Sequence, residues 1–187
     1  MTHFSRVTDK IEPHGYYPAY LKLASLIGPY GSVCEVGVAG GGSLEMWQAL
    51  FPFGLVAGVD YDPAMTWPEG TQKIVCHQDD PALPGALQKL APAWDLIVDD
   101  CSHDGAKTQR TWELLWPLVR PGGWYVVEDW NGAFGNARQA GSPYVWGEGL
   151  LATVSGFLRL LNDRDADCDE ITYRYGLAIL HRSGRPG

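Results

Sequence analysis

A doubly wound α/β fold is the architecture that this sequence predicts. Two observations support it: short apolar runs alternate with helical patterns along the chain, and a Gly-rich turn follows the first of those runs. This alternation is typical of strands in a parallel sheet that helices cover on both faces. The 187 residues suffice for one such domain with a single sizeable core.

The element pattern places strands and helices in alternation. The predicted order is helix 18–27, strand 32–38, helix 43–51, strand 55–60, strand 73–77, helix 82–90, strand 95–100, helix 108–119, strand 124–128 and helix 150–161. Residues 171–179 predict a late strand or two joined strands, after a polar loop over 163–170, and residues 181–187 predict a frayed tail. The Gly- and aromatic-rich stretch 130–149 predicts a long loop that acts as a lid over a ligand site.

Composition and charge exclude several classes of partner. Apolar residues make up 45% of the chain, and 14 basic against 22 acidic residues give a net charge of −8. Such a surface repels phosphate backbones and anionic membranes, so neither nucleic acid nor a membrane is an expected partner. No apolar stretch approaches the length of a signal or membrane segment, which predicts a cytoplasmic protein. The four cysteines lack metal-site spacing and are expected to be buried thiols.

A glycine-rich turn marks the expected ligand site. The first strand runs into Gly40 to Gly42, where backbone can approach a nucleotide-like ligand. Asp60, at the end of the second strand and 23 residues after Gly37, is placed to hold both ribose hydroxyls. With Ala39 in place of a glycine, the turn also approximates a dinucleotide fingerprint. Hydride transfer with NAD is therefore an alternative function.

Four carboxylates follow two strands of the predicted sheet. Asp99 and Asp100 end the fourth strand, and Glu128 and Asp129 end the fifth. Neighbouring strands lie about 4.8 Å apart, so these groups are expected to share one small volume and to need a cation. Oxygen ligands favour Mg²⁺, with Ca²⁺ or Mn²⁺ as substitutes. Because side chains alternate, Asp99 and Asp100 face different sides, one toward the cofactor and one toward the metal.

His103 is the candidate general base. It lies three residues beyond Asp100, within reach of a hydroxyl held at the carboxylate cluster. Imidazole is the side chain best matched to proton abstraction near neutral pH.

Several motifs together resemble a known family. They are Asp9-Lys10 with His14-Gly15-Tyr16, the stretch from Glu35 to Leu44, Gly58-Val59-Asp60, Asp99-Asp100 with Ser102-His103, and the stretch from Pro121 to Asp129. Between Asp9 and Arg182 the chain resembles class I S-adenosylmethionine-dependent methyltransferases, in particular the macrocin and mycinamicin sugar O-methyltransferases of macrolide biosynthesis.

The resemblance implies a fold and a set of roles. The fold would be a mostly parallel seven-stranded sheet with an antiparallel last strand. From its length the chain is expected to form one domain over 1–187, with a helical or lid segment over 1–30. Glu35, Gly37, Gly40 and Ser43 would surround the methionine part of S-adenosylmethionine, Asp60 would hold the ribose, Gln78 or Asp79 would approach the adenine, and Asp99 would face the cofactor. Asp100, Glu128 and Asp129 would bind Mg²⁺, with His103 as the base.

The predicted function is therefore Mg²⁺-dependent O-methylation of a small-molecule hydroxyl, with a sugar of a bacterial natural product as the expected acceptor. Two alternatives stay open beside hydride transfer. One is a methyltransferase of the same fold that acts on a catechol or a carboxylate, and the other is a non-catalytic cofactor-binding module. Acceptor selection is expected to depend on the 130–149 loop and on any homo-oligomer that forms.

Overall fold

The computed structural model describes residues 8–131, 148–163 and 167–184, and these form the predicted doubly wound sheet. Its helices are α1 (Tyr17–Ile27), α2 (Gly42–Leu50), α3 (Leu83–Gln88), α4 (Gly105–Leu115) and α5 (Glu148–Gly156). Its strands are β1 (Ser32–Val36), β2 (Leu55–Asp60), β3 (Gln72–Val75), β4 (Trp94–Asp99), β5 (Val119–Val127), β6 (Cys168–Arg174) and β7 (Leu177–Arg182). Most of the 130–149 loop, from 132 to 147, lies outside the described residues.

Sheet topology explains where the site forms. The seven strands of the described residues follow the order β3-β2-β1-β4-β5-β7-β6. The first five strands in the chain are parallel, and β7 runs antiparallel to both β5 and β6. Strand order therefore reverses between β1 and β4, which is where a doubly wound sheet leaves a crevice at the carboxyl ends of its strands.

Apolar packing covers both faces of the sheet. On one face Trp94, Tyr125 and Phe157 belong to a continuous buried cluster. On the other face Tyr20 of α1 meets Trp47 of α2 edge-on, with ring centroids 4.7 Å apart. Burial on both faces is the reason why β2 and β4 are almost continuous apolar runs in the sequence.

Several element boundaries differ from the prediction. Strand β1 ends at Val36, because Gly37 already has a positive φ of 89°. Helix α4 begins at Gly105 because the side chain of Asp104 caps it, accepting from the backbone N–H of Lys107 at 3.0 Å. Strand β5 begins at Val119, five residues early, since the register shift against β4 absorbs the Pro-Gly-Gly tract that follows.

The C-terminal region is more ordered than the sequence predicts. The late strand is a hairpin of β6 and β7 with Gly176 in the turn at φ 72°. Strand β6 begins inside the predicted polar loop, and the first two residues of the predicted frayed tail belong to β7. Arg182 anchors that end by donating to the carbonyl oxygen of Pro117 at 3.0 Å. The predicted helix 150–161 ends as α5 at Gly156, and a 3₁₀ turn completes it.

Two further findings concern the whole described region. The four cysteines are free thiols, of which Cys34 and Cys168 are buried. Within the described ranges, none of the helices has the length and apolar character that crossing a bilayer requires.

Candidate cofactor and cation site

A cavity of about 990 Å³ opens at the carboxyl ends of the parallel strands. The loops that follow β1, β2, β3 and β4 line it, together with residues from the segment before α1. This volume is in the range of cofactor-binding clefts. Seven acidic side chains and two lysines line the cavity, so its field favours a cationic ligand.

The glycine loop is shaped by close backbone approach. A Cβ at Gly37 would lie 2.3 Å from the carbonyl oxygen of Asp100, so only glycine lets the loops after β1 and β4 meet. Gly41, with φ 75°, is the N-cap residue of α2. Gly40 and Ser43 line the cavity, and a Cβ at Gly40 would meet no described atom within 4 Å. The loop thus leaves an open backbone surface toward the cavity.

Asp60 is fixed by the backbone around it. Its Oδ2 accepts from the N–H groups of Val38 and Ala39 at 3.3 and 3.2 Å. Its Oδ1 accepts from the N–H of Asp62 at 3.0 Å. A carboxylate offers about four lone-pair sites, so capacity remains for a hydroxyl of a ligand in the cavity. The predicted ribose partner is therefore present and pre-oriented at the cavity wall.

The loop after β3 gives its two predicted residues different surroundings. Gln78 is buried, and its amide donates to Thr111 Oγ1 at 2.9 Å and accepts from the N–H of Ser102 at 3.1 Å. Gln78 thus holds the loop after β4 in place, while Asp79 lines the cavity as a half-buried carboxylate. His77, to which the sequence assigned no role, stacks on Tyr61 with ring centroids 5.5 Å apart and forms a flat wall.

The structure divides the predicted group of four carboxylates. Asp100 and Asp129 line the cavity, whereas Asp99 and Glu128 are buried and do not. The alternation of Asp99 and Asp100 is as expected, but Asp99 faces away from the cavity, where burial raises its pKa to about 7. Asp99, the predicted cofactor contact, therefore lies outside the set of residues that line the cavity.

A buried ammonium supplies the cation that the carboxylates require. Lys10 is 1% exposed, and its Nζ lies 2.6 Å from Asp100 Oδ2. The same atom lies 2.9 Å from both Glu35 Oε1 and Glu128 Oε1. Burial alone would lower the pKa of Lys10, but these carboxylates outweigh it and raise that pKa well above its ordinary value. Glu128 Oε1 also accepts from the hydroxyl of Tyr20.

Sequence reasoning did not assign Lys10 a role, although Asp9-Lys10 is among the motifs that carry the resemblance. A separation of 90 residues from Asp100 leaves no periodicity or spacing that could pair the two. The signal that could have found it is charge: four acidic strand ends need a counter-ion, and a lysine in a family motif is a candidate for it.

A second, outer group can hold a metal ion. Asp100, His103 and Asp129 each offer one ligand atom, and these atoms lie within 4.8 Å of one another. The Nε2 atom of His103 lies 3.9 Å from Asp100 Oδ1 and 3.9 Å from Asp129 Oδ2. Two carboxylate oxygens beside a cavity fit a hard divalent cation such as Mg²⁺ or Mn²⁺. Compared with the predicted ligand set, the structure brings His103 to this group and leaves Glu128 with Lys10.

Backbone conformation marks the same residues. His103 and Asp129 have φ values of 55° and 56°, in the left-handed region that side chains other than glycine rarely adopt. Such conformations cost about 1–3 kcal/mol each and concentrate at functional sites. Burial lowers the pKa of His103 below its ordinary value, so its imidazole is neutral at neutral pH and able to accept a proton.

A doubly wound sheet with a glycine loop, a fixed ribose-type carboxylate and an adjacent oxygen-donor group defines a class of α/β proteins that bind nucleotide-like cofactors. Comparison with known proteins gives the family: a model described as "Methyltransferase domain" matches residues 34–130, just over half of the chain. The chain therefore belongs to the methyltransferase-domain family.

The resemblance to sugar O-methyltransferases is confirmed by curated relatives. The chain is 36% identical over 168 residues to 8-demethyl-8-alpha-L-rhamnosyl tetracenomycin-C 2'-O-methyltransferase of Streptomyces olivaceus, covering 83% of this chain and 42% of that protein. It is 34% identical to demethylmacrocin O-methyltransferase of Streptomyces fradiae, covering 65% of this chain and 34% of that protein. The chain thus spans less than half the length of these relatives.

Solved structures agree on the fold. The MycE methyltransferase from the mycinamycin biosynthetic pathway, in complex with Mg, SAH and mycinamycin VI, superposes with a TM-score of 0.73. It is 25% identical, and the match covers 92% of this chain and 50% of that one. The predicted mostly parallel seven-stranded sheet is therefore confirmed both by the strand order and by this match.

Proposed function

We propose that this chain is an S-adenosylmethionine-dependent O-methyltransferase that acts on a sugar hydroxyl of a glycosylated natural product. The observation that carries the proposal is the outer group of Asp100, His103 and Asp129 at the wall of a large acidic cavity in a methyltransferase-family domain. The names of two relatives support the acceptor class: one is a 2'-O-methyltransferase of a rhamnosyl tetracenomycin, and the other is an O-methyltransferase of demethylmacrocin.

The cavity lining suits the proposed cofactor. Glu35, Gly37, Gly40 and Ser43 would surround its methionine part, and the excess of acidic groups would favour its positive sulfonium. Asp60 would hold the ribose hydroxyls through the lone pairs that its backbone partners leave available. At the adenine end the candidate is Asp79, which lines the cavity, since the amide of Gln78 is engaged with Thr111 and Ser102.

The outer group suits proton removal from an acceptor hydroxyl. When bound, S-adenosylmethionine would supply the methyl group. Asp100 and Asp129 would hold a divalent cation, which would lower the pKa of a hydroxyl beside it. His103 would accept the hydroxyl proton at Nε2, in the gap between the two carboxylates. Its lowered pKa keeps the imidazole in the form that can take that proton.

The alternatives differ from this proposal in what they would need. A non-catalytic cofactor-binding module has no use for a strained, neutral histidine beside two carboxylates. Hydride transfer with NAD would need no cation, and the family match argues against it. A methyltransferase that acts on a catechol or a carboxylate would use the same cofactor site. Only an assay with different acceptors distinguishes it from a sugar O-methyltransferase. The cytoplasmic location and a homo-oligomeric state stay predictions.

Calorimetric titration of the purified chain tests the cofactor assignment. S-adenosylmethionine is expected to bind with micromolar Kd in metal-free buffer, because its contacts lie along the glycine loop and Asp60, away from the outer group. NAD, titrated in the same buffer, serves as the control and is expected to give no heat of binding. Binding of NAD alone, or of neither ligand, would overturn the methyltransferase proposal for this chain.

A further inference from the structure

The segment before α1 contacts the candidate cation site at two separate points. Lys10 Nζ donates to Asp100 Oδ2 at 2.6 Å. The hydroxyl of Tyr16 donates to Asp129 Oδ1, and His14 Nδ1 lies 3.2 Å from that same oxygen. Both carboxylates of the outer group are therefore bound by one short stretch of chain.

In each of the two aspartates, these contacts involve only one carboxylate oxygen. In Asp100 the Oδ2 atom faces Lys10 while Oδ1 faces His103 at 3.9 Å. In Asp129 the Oδ1 atom faces Tyr16 while Oδ2 faces His103, also at 3.9 Å. Each carboxylate thus uses one oxygen to hold the segment and presents the other to the same point in the cavity.

This division fixes the orientation of the ligand atoms. The terminal torsion of an aspartate side chain is broad and poorly defined by the backbone alone. A partner on one oxygen removes that freedom, so the other oxygen is already aimed when a cation arrives. Such partners of ligand groups are worth about ten- to a hundredfold in metal affinity.

The segment itself is firmly placed. The carbonyl oxygen of Lys10 accepts from the N–H groups of Tyr16 and Tyr17 at 2.7 and 2.9 Å, which ties its turn to the start of α1. Tyr20 of α1 donates to Glu128. Glu128 also contacts the Lys10 ammonium, as Glu35 does. The inner ammonium and the outer cation position therefore share Asp100 between them.

We propose that Lys10 and Tyr16 are positioning residues for a divalent cation, and that the segment before α1 is a structural part of the cation site. The proposal rests on the cation assigned under the proposed function. Lys10 holds Asp100 and neutralises the buried acids behind it, and Tyr16 holds Asp129. Neither residue is required to touch the cation.

Mn²⁺ binding measured by electron paramagnetic resonance tests this inference without any turnover. The variants are Lys10→Met and Tyr16→Phe, with Lys22→Met and Tyr30→Phe as matched controls at exposed positions. Tyr16→Phe is expected to weaken Mn²⁺ binding roughly ten- to a hundredfold, and neither control is expected to change it. Lys10→Met is expected to weaken it less, because removing a positive charge beside three carboxylates partly offsets the lost orientation of Asp100. The Kd for S-adenosylmethionine and the Tm are measured on every protein.

The outcomes separate the two proposals. In Tyr16→Phe, selective loss of Mn²⁺ affinity with the cofactor Kd unchanged supports the positioning role. Unchanged Mn²⁺ affinity in Tyr16→Phe, or an equal loss of Mn²⁺ and cofactor affinity in that variant, overturns it and leaves a structural role only. The cofactor Kd does not decide the case of Lys10→Met, because Lys10 also contacts Glu35. If Lys10→Met does not fold, Tyr16→Phe, which removes one hydroxyl, decides the question. Absence of Mn²⁺ binding by the unmodified chain overturns the cation assignment together with this inference, whereas cofactor binding still tests the methyltransferase proposal.

Discussion

His103→Ala is expected to remove nearly all methyl transfer while the cofactor still binds. A positioned general base contributes about 10²- to 10⁴-fold to a rate, so kcat is expected to fall by that factor. The cofactor Kd is expected to stay unchanged, because the glycine loop and Asp60 lie on other elements and do not depend on the imidazole. Kinetics with a glycosylated acceptor and calorimetry with S-adenosylmethionine measure the two quantities.

The control for this variant is His181→Ala. His181 lies on β7 with its Nδ1 atom 2.6 Å from Asp169 Oδ1, and it does not line the cavity. The Kd for Mn²⁺ must also be measured for His103→Ala, since the imidazole lies within the outer group. Unchanged kcat would refute the base assignment. Loss of Mn²⁺ binding in parallel with kcat would instead make His103 a cation ligand.

Asp60→Ala is expected to weaken S-adenosylmethionine binding roughly ten- to a hundredfold, since hydrogen bonds to a charged group are worth about 1.5–3 kcal/mol. The variant removes the ribose partner and also the acceptor that orders the N–H groups of Val38 and Ala39. The loss is expected to be the same with and without Mg²⁺, because Asp60 is not a member of the outer group.

Asp62→Ala is the matched control for Asp60→Ala. Asp62 accepts from the N–H of Ala64 at 2.8 Å and does not line the cavity. Calorimetry on both variants is expected to show a change only for Asp60→Ala. Equal weakening in the two would mean that the loop after β2, not the ribose contact, sets the affinity.

Helix and strand boundaries can be predicted from the sequence where turn-forming residues lie only at the ends of an element. Strand β2, Leu55–Asp60, agrees with the prediction residue for residue because an apolar run there lies between turn-forming residues. Strand β5 begins five residues early because Pro121, Gly122 and Gly123 suggest a break in sequence. The shifted register against β4 accommodates those residues within the strand. Pairing with a neighbouring strand sets where such a strand begins, and the local sequence does not reveal that pairing.

The candidate site, too, could be predicted only in part from the sequence. Strand alternation predicts that Asp99 and Asp100 face opposite sides, but not which of them faces the cavity. At the end of β5 the positive φ of Asp129 turns its side chain to the cavity while Glu128 stays buried. Like-charge repulsion predicted a cation among the acids. Only the tertiary structure identifies one such cation as the ammonium of Lys10.

Transfer of a labelled methyl group tests the central claim most directly. The chain, Mg²⁺ and methyl-labelled S-adenosylmethionine are incubated separately with a rhamnosylated polyketide, a macrolide glycoside, a catechol and a small carboxylic acid. We expect the label on a sugar oxygen of a glycoside, only when a divalent cation is present, and not on the other two acceptors. Label on the catechol or the acid with none on either glycoside would contradict the sugar O-methyltransferase assignment.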